Sequence, residues 1–247
     1  MTNKERYREL CLREKTIPIF SKDWWMDAVC GEDNWDVYLV GNGMDIKASM
    51  VYSLQEKEGH RSIGRLSLTQ NNGIWIKYPN GQGLIARQSY EEKIVNELCD
   101  FIESLNLNKY DQQYHYHFNN YLPFFWRYYK EVTKYTYVIE DTDNMELVRG
   151  QYSSKLKNAI RKAEKGLQIG EETDLERFYA INRMSFERQG IEIPYTYDFF
   201  KKLYDTCHER NACKLLHAAD EQGNVQSVAM IVWDEMSVYY LLNGTNP

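Results

Sequence analysis

Lys157, Arg161 and Lys165 stand four residues apart in the stretch YSSKLKNAIRKAEKGLQI, with Lys155 and Lys162 beside them. On a helix this spacing sets side chains in one row. A row of cations is chemistry for anions: each lysine is a mobile point charge, and arginine is a planar fork that grips phosphate through two N–H donors. A charge row alone is commonly a solvated helix face. Two features set this one apart. Glu164 alone stands within the helix against five cations, so the row repels itself and invites an outside anion. The run also lies between two stretches that each read as a folded unit, where a cleft and its ligand are expected.

The helix presenting these groups can be capped by Ser153 or Ser154. It carries Leu156, Ala159, Ile160, Ala163 and Leu167 on one stripe and meets a stop signal at Gly166. Far upstream, Ser21 is the expected N-cap of KDWWMDAVC, where Trp24, Trp25, Ala28 and Val29 fall at helical spacing. Three apolar runs follow, Val37 to Val40, Ile46 to Leu54 and Ile63 to Leu68, separated by Gly41-Asn42-Gly43 and a polar turn; they predict an antiparallel meander. A strand at Gly73 to Tyr78, a helix at Ser89 to Leu105, and aromatic strands near Tyr114 to Phe118 and Tyr135 to Ile139 complete the first unit. The aromatic run Tyr114 to Tyr137 reads as core and cleft wall.

Beyond the basic run the order recurs. The helix TYDFFKKLYDTCHER turns Phe199, Phe200, Leu203 and Tyr204 inward, and strands follow at Leu215 to Ala219, Val225 to Trp233 and Ser237 to Leu242. Two related halves are expected, the second ending just after its third strand.

Other groups have weaker claims to chemistry. Arg188 and Gln189 follow an amphipathic helix (Phe178, Ile181, Met184, Ser185) in a loop that can reach a cleft. Thr69, Gln70 and Asn71 at one meander exit, and Asn243 at the other, can contact an acceptor, although both asparagines read more readily as turn formers. His115 and His117 alternate on an expected strand and so point the same way. With no third ligand at suitable spacing, packing among tyrosines is the favoured reading over a metal pair. GxSxG, P-loop and GxGxxG motifs are absent.

The 247 residues carry a net charge of −6; Tyr152 to Gly166 holds five cations and one anion, so the rest of the chain stands at −10. The basic patch is local. Cys11, Cys30, Cys99, Cys207 and Cys213 form no CxxC pair and read as reduced thiols. No apolar run is long enough to span a bilayer and MTNKERYRELCLREK lacks a signal-peptide core, so a soluble, cytoplasmic protein is expected.

The segments SKDWWMDAV, WDVYLVGNGMDIKASMVY, LSLTQNNGIWI, LPFFWRYYKEVTKYTYVIE, SSKLKNAIRKAEKGLQI, FYAINRMSFERQGIEIPYTYDFFKKL and VYYLLNGTNP together resemble the FemAB-type branch of the GNAT acyltransferase superfamily. KNAIRKAEK followed by the F…RQG…P…FF helix is the most specific piece. The resemblance implies an α/β (α+β) fold of tandem GNAT-like domains, 1–150 and 151–247, each a mixed, largely antiparallel sheet with flanking helices, the second incomplete. It implies transfer of an aminoacyl or acyl group to an amine of a cell-wall or surface-polysaccharide precursor. No cofactor is held permanently; the donor is aminoacyl-tRNA or acyl-CoA, and the acceptor is a phosphate-bearing small molecule or lipid-linked intermediate. Lys157, Asn158, Arg161, Lys162 and Lys165 match the family motif and are the substrate-binding candidates. Such chemistry needs a neutral amine, positioning and oxyanion donors but no metal, and no general base is identified. The acetyl-CoA loop of ordinary GNAT enzymes, Q/R-x-x-G-x-G/A, has its nearest counterpart at Arg61 to Leu66, which fails the last position and precedes a strand. Two other readings compete: a non-catalytic module binding tRNA or single strands through the basic helix and the WRYYK and KYTY aromatics, and an inactive, truncated scaffold.

Overall fold

The computed structural model describes residues 1–246. The contacts gather into two compact units. One comprises Met1–Lys130 with Ile193–Cys213 and Ile231–Leu241; the other comprises Glu131–Glu192, Lys214–Met230 and the residues from Leu242 on.

The first unit opens with α1 (Asn3–Arg13), closed by a capping box in which Thr2 Oγ1 accepts from the Glu5 N–H while the Glu5 carboxylate accepts from Thr2. The sequence reading passed over this helix. A 3-10 turn, Ile19–Ser21, leads into α2 (Asp23–Cys30). Ser21 is therefore not the expected cap. It is buried at the end of the turn, where its carbonyl accepts from Tyr7 Oη at 2.6 Å, and Lys22 holds the cap position without a side-chain bond. The inward residues of α2 are Trp25, Met26 and Ala28.

β1 (Asp36–Asn42), β2 (Asp45–Tyr52) and β5 (Ile74–Ile76) form an antiparallel sheet in that order. Between β2 and β5 the chain departs from the expected meander. β3 (Leu54–Lys57) and β4 (His60–Ile63) make a hairpin that belongs to another sheet, joined in parallel by β6 (Lys109–Tyr110), and residues 64–68 are not strand. The polar Glu58-Gly59 turn splits what had looked like a simple connection. Both faces of the β1–β2–β5 sheet are covered, which is why its strands read as nearly continuous apolar runs. Ala48, Met50, Tyr52, Ile74 and Ile76 pack with Ile94, Val95, Leu98 and Ile102 of α3 (Leu84–Ser104). Val37, Leu39, Val51 and Trp75 pack with Tyr7 and Leu10 of α1. A bulge explains one exception to the alternation. Val40 pairs with Ala48 but Gly41 pairs with Ile46, so Lys47 is skipped and Ile46 turns to the α1 face. Gly41 sits at φ 121°, and a Cβ there would lie 2.2 Å from the Asp45 carbonyl oxygen, so the bulge requires glycine.

The aromatic run divides. Tyr114, Phe118, Phe124 and Tyr129 join the α3-side core, and α4 (Leu122–Trp126) sits among them, but residues 114–118 are not a strand. Residues 131–140 form no strand either, and Tyr135 and Tyr137 are fully exposed. Their alternating pattern suits a pleated surface, yet no neighbouring strand takes their backbone groups, so the pattern is not realised.

α5 (Met145–Gly150), α6 (Ser154–Gly166), β7 (Gln168–Glu171) and α7 (Leu175–Glu187) follow in the second unit. α8 (Tyr197–His208), capped by Thr196, buries Phe200, Leu203 and Cys207; Phe199 and Tyr204 are only half-buried. It packs on α2 in the first unit, with Lys202 Nζ donating to the Asp27 carbonyl at 3.2 Å. β8 (Cys213–Ala219), β9 (Val225–Trp233) and β10 (Val238–Thr245) match the three strands expected there and, with β7, form a sheet of order β10-β9-β8-β7. The fold is mixed α/β with three mostly antiparallel sheets. All five cysteines are free. Among the described residues no helix is long and apolar enough to cross a membrane.

Candidate functional site

α6 is built as its sequence dictates. Ser153 Oγ accepts from the Leu156 N–H at 3.2 Å, and the helix ends at Gly166. None of its residues is buried. Among the described residues Lys155, Lys157, Arg161, Lys162 and Lys165 form no ion pair, so the cationic row is unmatched by any carboxylate of the fold. Lys157 is the half-buried member, with Nζ donating to the Gly150 carbonyl at 2.8 Å; Asn158, Arg161, Lys162 and Lys165 are exposed.

One side of the row faces α5. Arg149, Tyr152, Lys157, Ile160, Arg161 and Glu164 line an open groove of about 250 Å³, entirely within the second unit. Three cations meet one carboxylate there, with a phenol as a further donor, so the groove suits a multiply charged anion such as a phosphate. Arg149 and Tyr152 were missed by the sequence reading. The signal existed: in NMELVRG, Asn144 caps α5 by accepting from the Leu147 N–H at 3.0 Å, Glu146 lies in the first turn, and Arg149 and Gly150 close the last.

The other expected positions are not brought to this groove. Arg188 donates to the Thr245 carbonyl at 2.8 Å and to Ser185 Oγ at 3.2 Å, while Gln189 Nε2 donates to the Ser185 carbonyl at 2.8 Å. Both fasten the end of α7. Asn243 is not in a turn but within β10, where its carbonyl accepts from Asn182 Nδ2 at 2.6 Å. In the first unit Thr69 Oγ1 accepts from Trp25 Nε1 at 3.0 Å, Gln70 Nε2 donates to the Tyr240 carbonyl at 2.8 Å, and the amide oxygen of Asn71 is buried without a partner.

The two histidines do meet, though on no strand. His115 Nδ1 accepts from the His117 N–H at 3.3 Å, which leaves the Nε2 proton to face Tyr239 Oη at 3.2 Å. Burial, reinforced by His117, lowers the His115 pKa to about 4, so the ring is neutral at pH 7 and both nitrogens are occupied. Among the described residues no group of three His, Cys, Asp or Glu is placed to hold a metal ion. Elsewhere in the second unit Glu172 is buried and receives Arg177 in a two-pronged bond at 3.0 and 2.7 Å. Burial pushes this carboxyl up, but the bonds from Arg177 and the Asp174 N–H outweigh it and hold it below its usual value.

A glycine-rich turn also lies where a strand meets a helix. Tyr78-Pro-Asn-Gly81-Gln-Gly83 connects β5 to α3, whose N-cap, Gly83, offers no side-chain bond. It fits x-x-G-x-G with tyrosine in the Q/R place, satisfying two of the three specified positions as Arg61 to Leu66 does, but here a helix follows; it went unnoticed because that helix was expected to start five residues later.

Comparison with known proteins adds to this geometry. Residues 150–247 match the family model described as an acetyltransferase (GNAT) domain. The match is confined to this stretch. Tyr152, Lys157, Arg161 and Glu164 lie inside the GNAT match, and Arg149 immediately precedes it. The whole chain matches the crystal structure of FemX with a TM-score of 0.65 at 12% sequence identity, covering 100% of this chain and 79% of that one. The fold is shared along the full length. A spermidine N-acetyltransferase from Vibrio cholerae, solved with CoA and spermine, overlaps 30% of this chain and 50% of its own at 20% identity, with a TM-score of 0.22. No curated protein matches the sequence significantly.

Proposed function

We propose that this protein is an acyltransferase that moves an aminoacyl or acyl group onto an amine of a cell-wall or surface-polysaccharide precursor. The α5–α6 groove holds a phosphate of the donor or acceptor. One observation carries the reading: Arg149, Lys157 and Arg161 converge on one groove with no ion pair among the described residues, Lys157 and Arg161 inside the GNAT match and Arg149 next to it. In this reading the chain is a tandem of GNAT-like domains, 1–150 and 151–247, with Asn158, Lys162 and Lys165 extending the anion surface along α6.

The chemistry follows from the donor. A neutral amine attacks the ester or thioester carbonyl, a tetrahedral oxyanion forms, and the C–O or C–S bond breaks as the amine's proton passes to the leaving oxygen or sulfur. Aminoacyl-tRNA and acyl-CoA both fit, and both place the reaction in the cytoplasm. A phosphate clamped in the groove contributes positioning.

The test is calorimetric titration of the full chain with inorganic pyrophosphate and with uridine diphosphate. Arg161→Glu is expected to weaken binding by tenfold or more, since a bidentate charge-assisted contact becomes a repulsion, with the melting temperature unchanged at this exposed position. Undiminished affinity in a folded Arg161→Glu variant rejects the groove. A second reading, binding of tRNA or single strands, draws support from the exposed rings of Tyr135 and Tyr137 in the second unit. It requires steeply salt-dependent affinity for oligonucleotides.

A further inference from the structure

α6 also carries an apolar stripe, which meets the phosphate groove only at Ile160. Leu156, Ala159, Ile160 and Ala163 are all exposed, Leu156 at 44% and Ile160 at 36%. At about 100° per residue they occupy one continuous stripe. Lys155 and Lys162 border that stripe beyond Ala159; beyond Ile160 come Glu164 and then Lys157, while Arg161 and Lys165 lie on the opposite side of the helix. An apolar stripe flanked by three lysines against the one acid, Glu164, on a helix with no buried residue, is the pattern of a helix that lies in the plane of a membrane interface.

We propose that α6 docks on an anionic lipid surface. Leu156, Ile160 and the two alanines enter the acyl boundary, and the bordering lysines meet lipid phosphates. Charge complementarity selects this occupant. The basic run is the cationic island of an otherwise acidic chain, and the described residues supply it with no carboxylate partner. A second copy of the chain is disfavoured, because burying stripe on stripe brings two rows of lysines together. A nucleic acid matches the charges but offers nothing apolar to Leu156 and Ile160, and α6 carries no aromatic ring on which a base stacks. The docking is peripheral and reversible: the stripe is short, and one helix of 13 residues is about 20 Å long. It stands independently of the acyl-transfer reading.

The test is co-sedimentation of the full chain with phosphatidylcholine vesicles, with and without about one-third phosphatidylglycerol. Binding is expected on the anionic vesicles, about tenfold above the neutral ones and falling with salt. Leu156→Glu is expected to lower it about tenfold while leaving the melting temperature and the pyrophosphate affinity of the groove unchanged. Hydrogen exchange should slow at residues 154–166 when anionic vesicles are added. No binding, equal binding to both vesicle types, or an undiminished Leu156→Glu variant overturns the proposal. A concentration-dependent dimer lost in Leu156→Glu without vesicle binding overturns it in favour of a second copy. Failure of the groove reading leaves a different trace: pyrophosphate does not bind while the vesicles still do.

Discussion

α3 and α6 are both amphipathic helices, and they meet opposite fates. α3 buries Ile94, Val95, Leu98, Cys99 and Ile102 against the first sheet, whereas α6 buries nothing. α3 is a structural girder whose apolar face is consumed by its own fold. α6 keeps both its apolar and its cationic faces available, so its sequence pattern reports on partners as well as on packing. Amphipathicity shows that a face wants cover; only the coordinates tell whether the fold provides it.

The contrast can be broken by paired truncations. Leu98→Ala should cost about 3 kcal/mol, since a fully buried leucine leaves a cavity. Leu156→Ala on α6 should cost under about 1 kcal/mol, near the range of surface substitutions. Denaturant melts of both variants decide it, and equal losses would mean that α6 is a core helix after all.

A second measurement sharpens the comparison within the second unit, which has its own firm point despite the open helix. Arg177→Met leaves the buried Glu172 carboxylate uncompensated and should cost about 2–3 kcal/mol at pH 7. The loss should shrink as pH falls below the carboxylate range, because Glu172, held low in the native protein, takes up a proton more readily without its arginine.

The third effect belongs to the first unit. His115 has a native pKa lowered to about 4, so the unfolded chain binds a proton that the folded one refuses once pH drops below the ordinary histidine value. Stability is fully present above pH 6.5 and is lost progressively between there and about pH 4, by up to about 2–3 kcal/mol. His115→Gln should flatten that part of the stability curve. An unchanged curve would mean that other groups carry the acid sensitivity.

How much of this was legible in the sequence depends on whether local pattern or distant contact decided the outcome. β8, β9, β10, α8 and α6 followed their periodicity and caps closely, because polar turns and serine or threonine caps mark their limits. The first meander did not. The polar run after β2 looked like one turn but holds a hairpin whose partner, β6, lies some fifty residues away, and no local rule announces such pairing. Tyr135 to Ile139 has strand chemistry without a strand, for want of a neighbouring edge. At the candidate site, Lys157 and Arg161 were legible as a charge row. Arg149 and Tyr152 were not, since they join the row only through the turn between α5 and α6. Tyr239 illustrates the same limit: it reaches His115 across 124 residues.

Gly244 has a consequence for motion. A methyl group there would fall 2.6 Å from the Asn182 Cα, so the middle of α7 rests directly on the strand backbone, and the bonds of Asn182 to Asn243 and Arg188 to Thr245 pin the residues on either side. Helix and strand are thereby riveted at three consecutive points. Neither can slide or pivot alone, and any displacement felt by one is handed to the other as a single stiff lever.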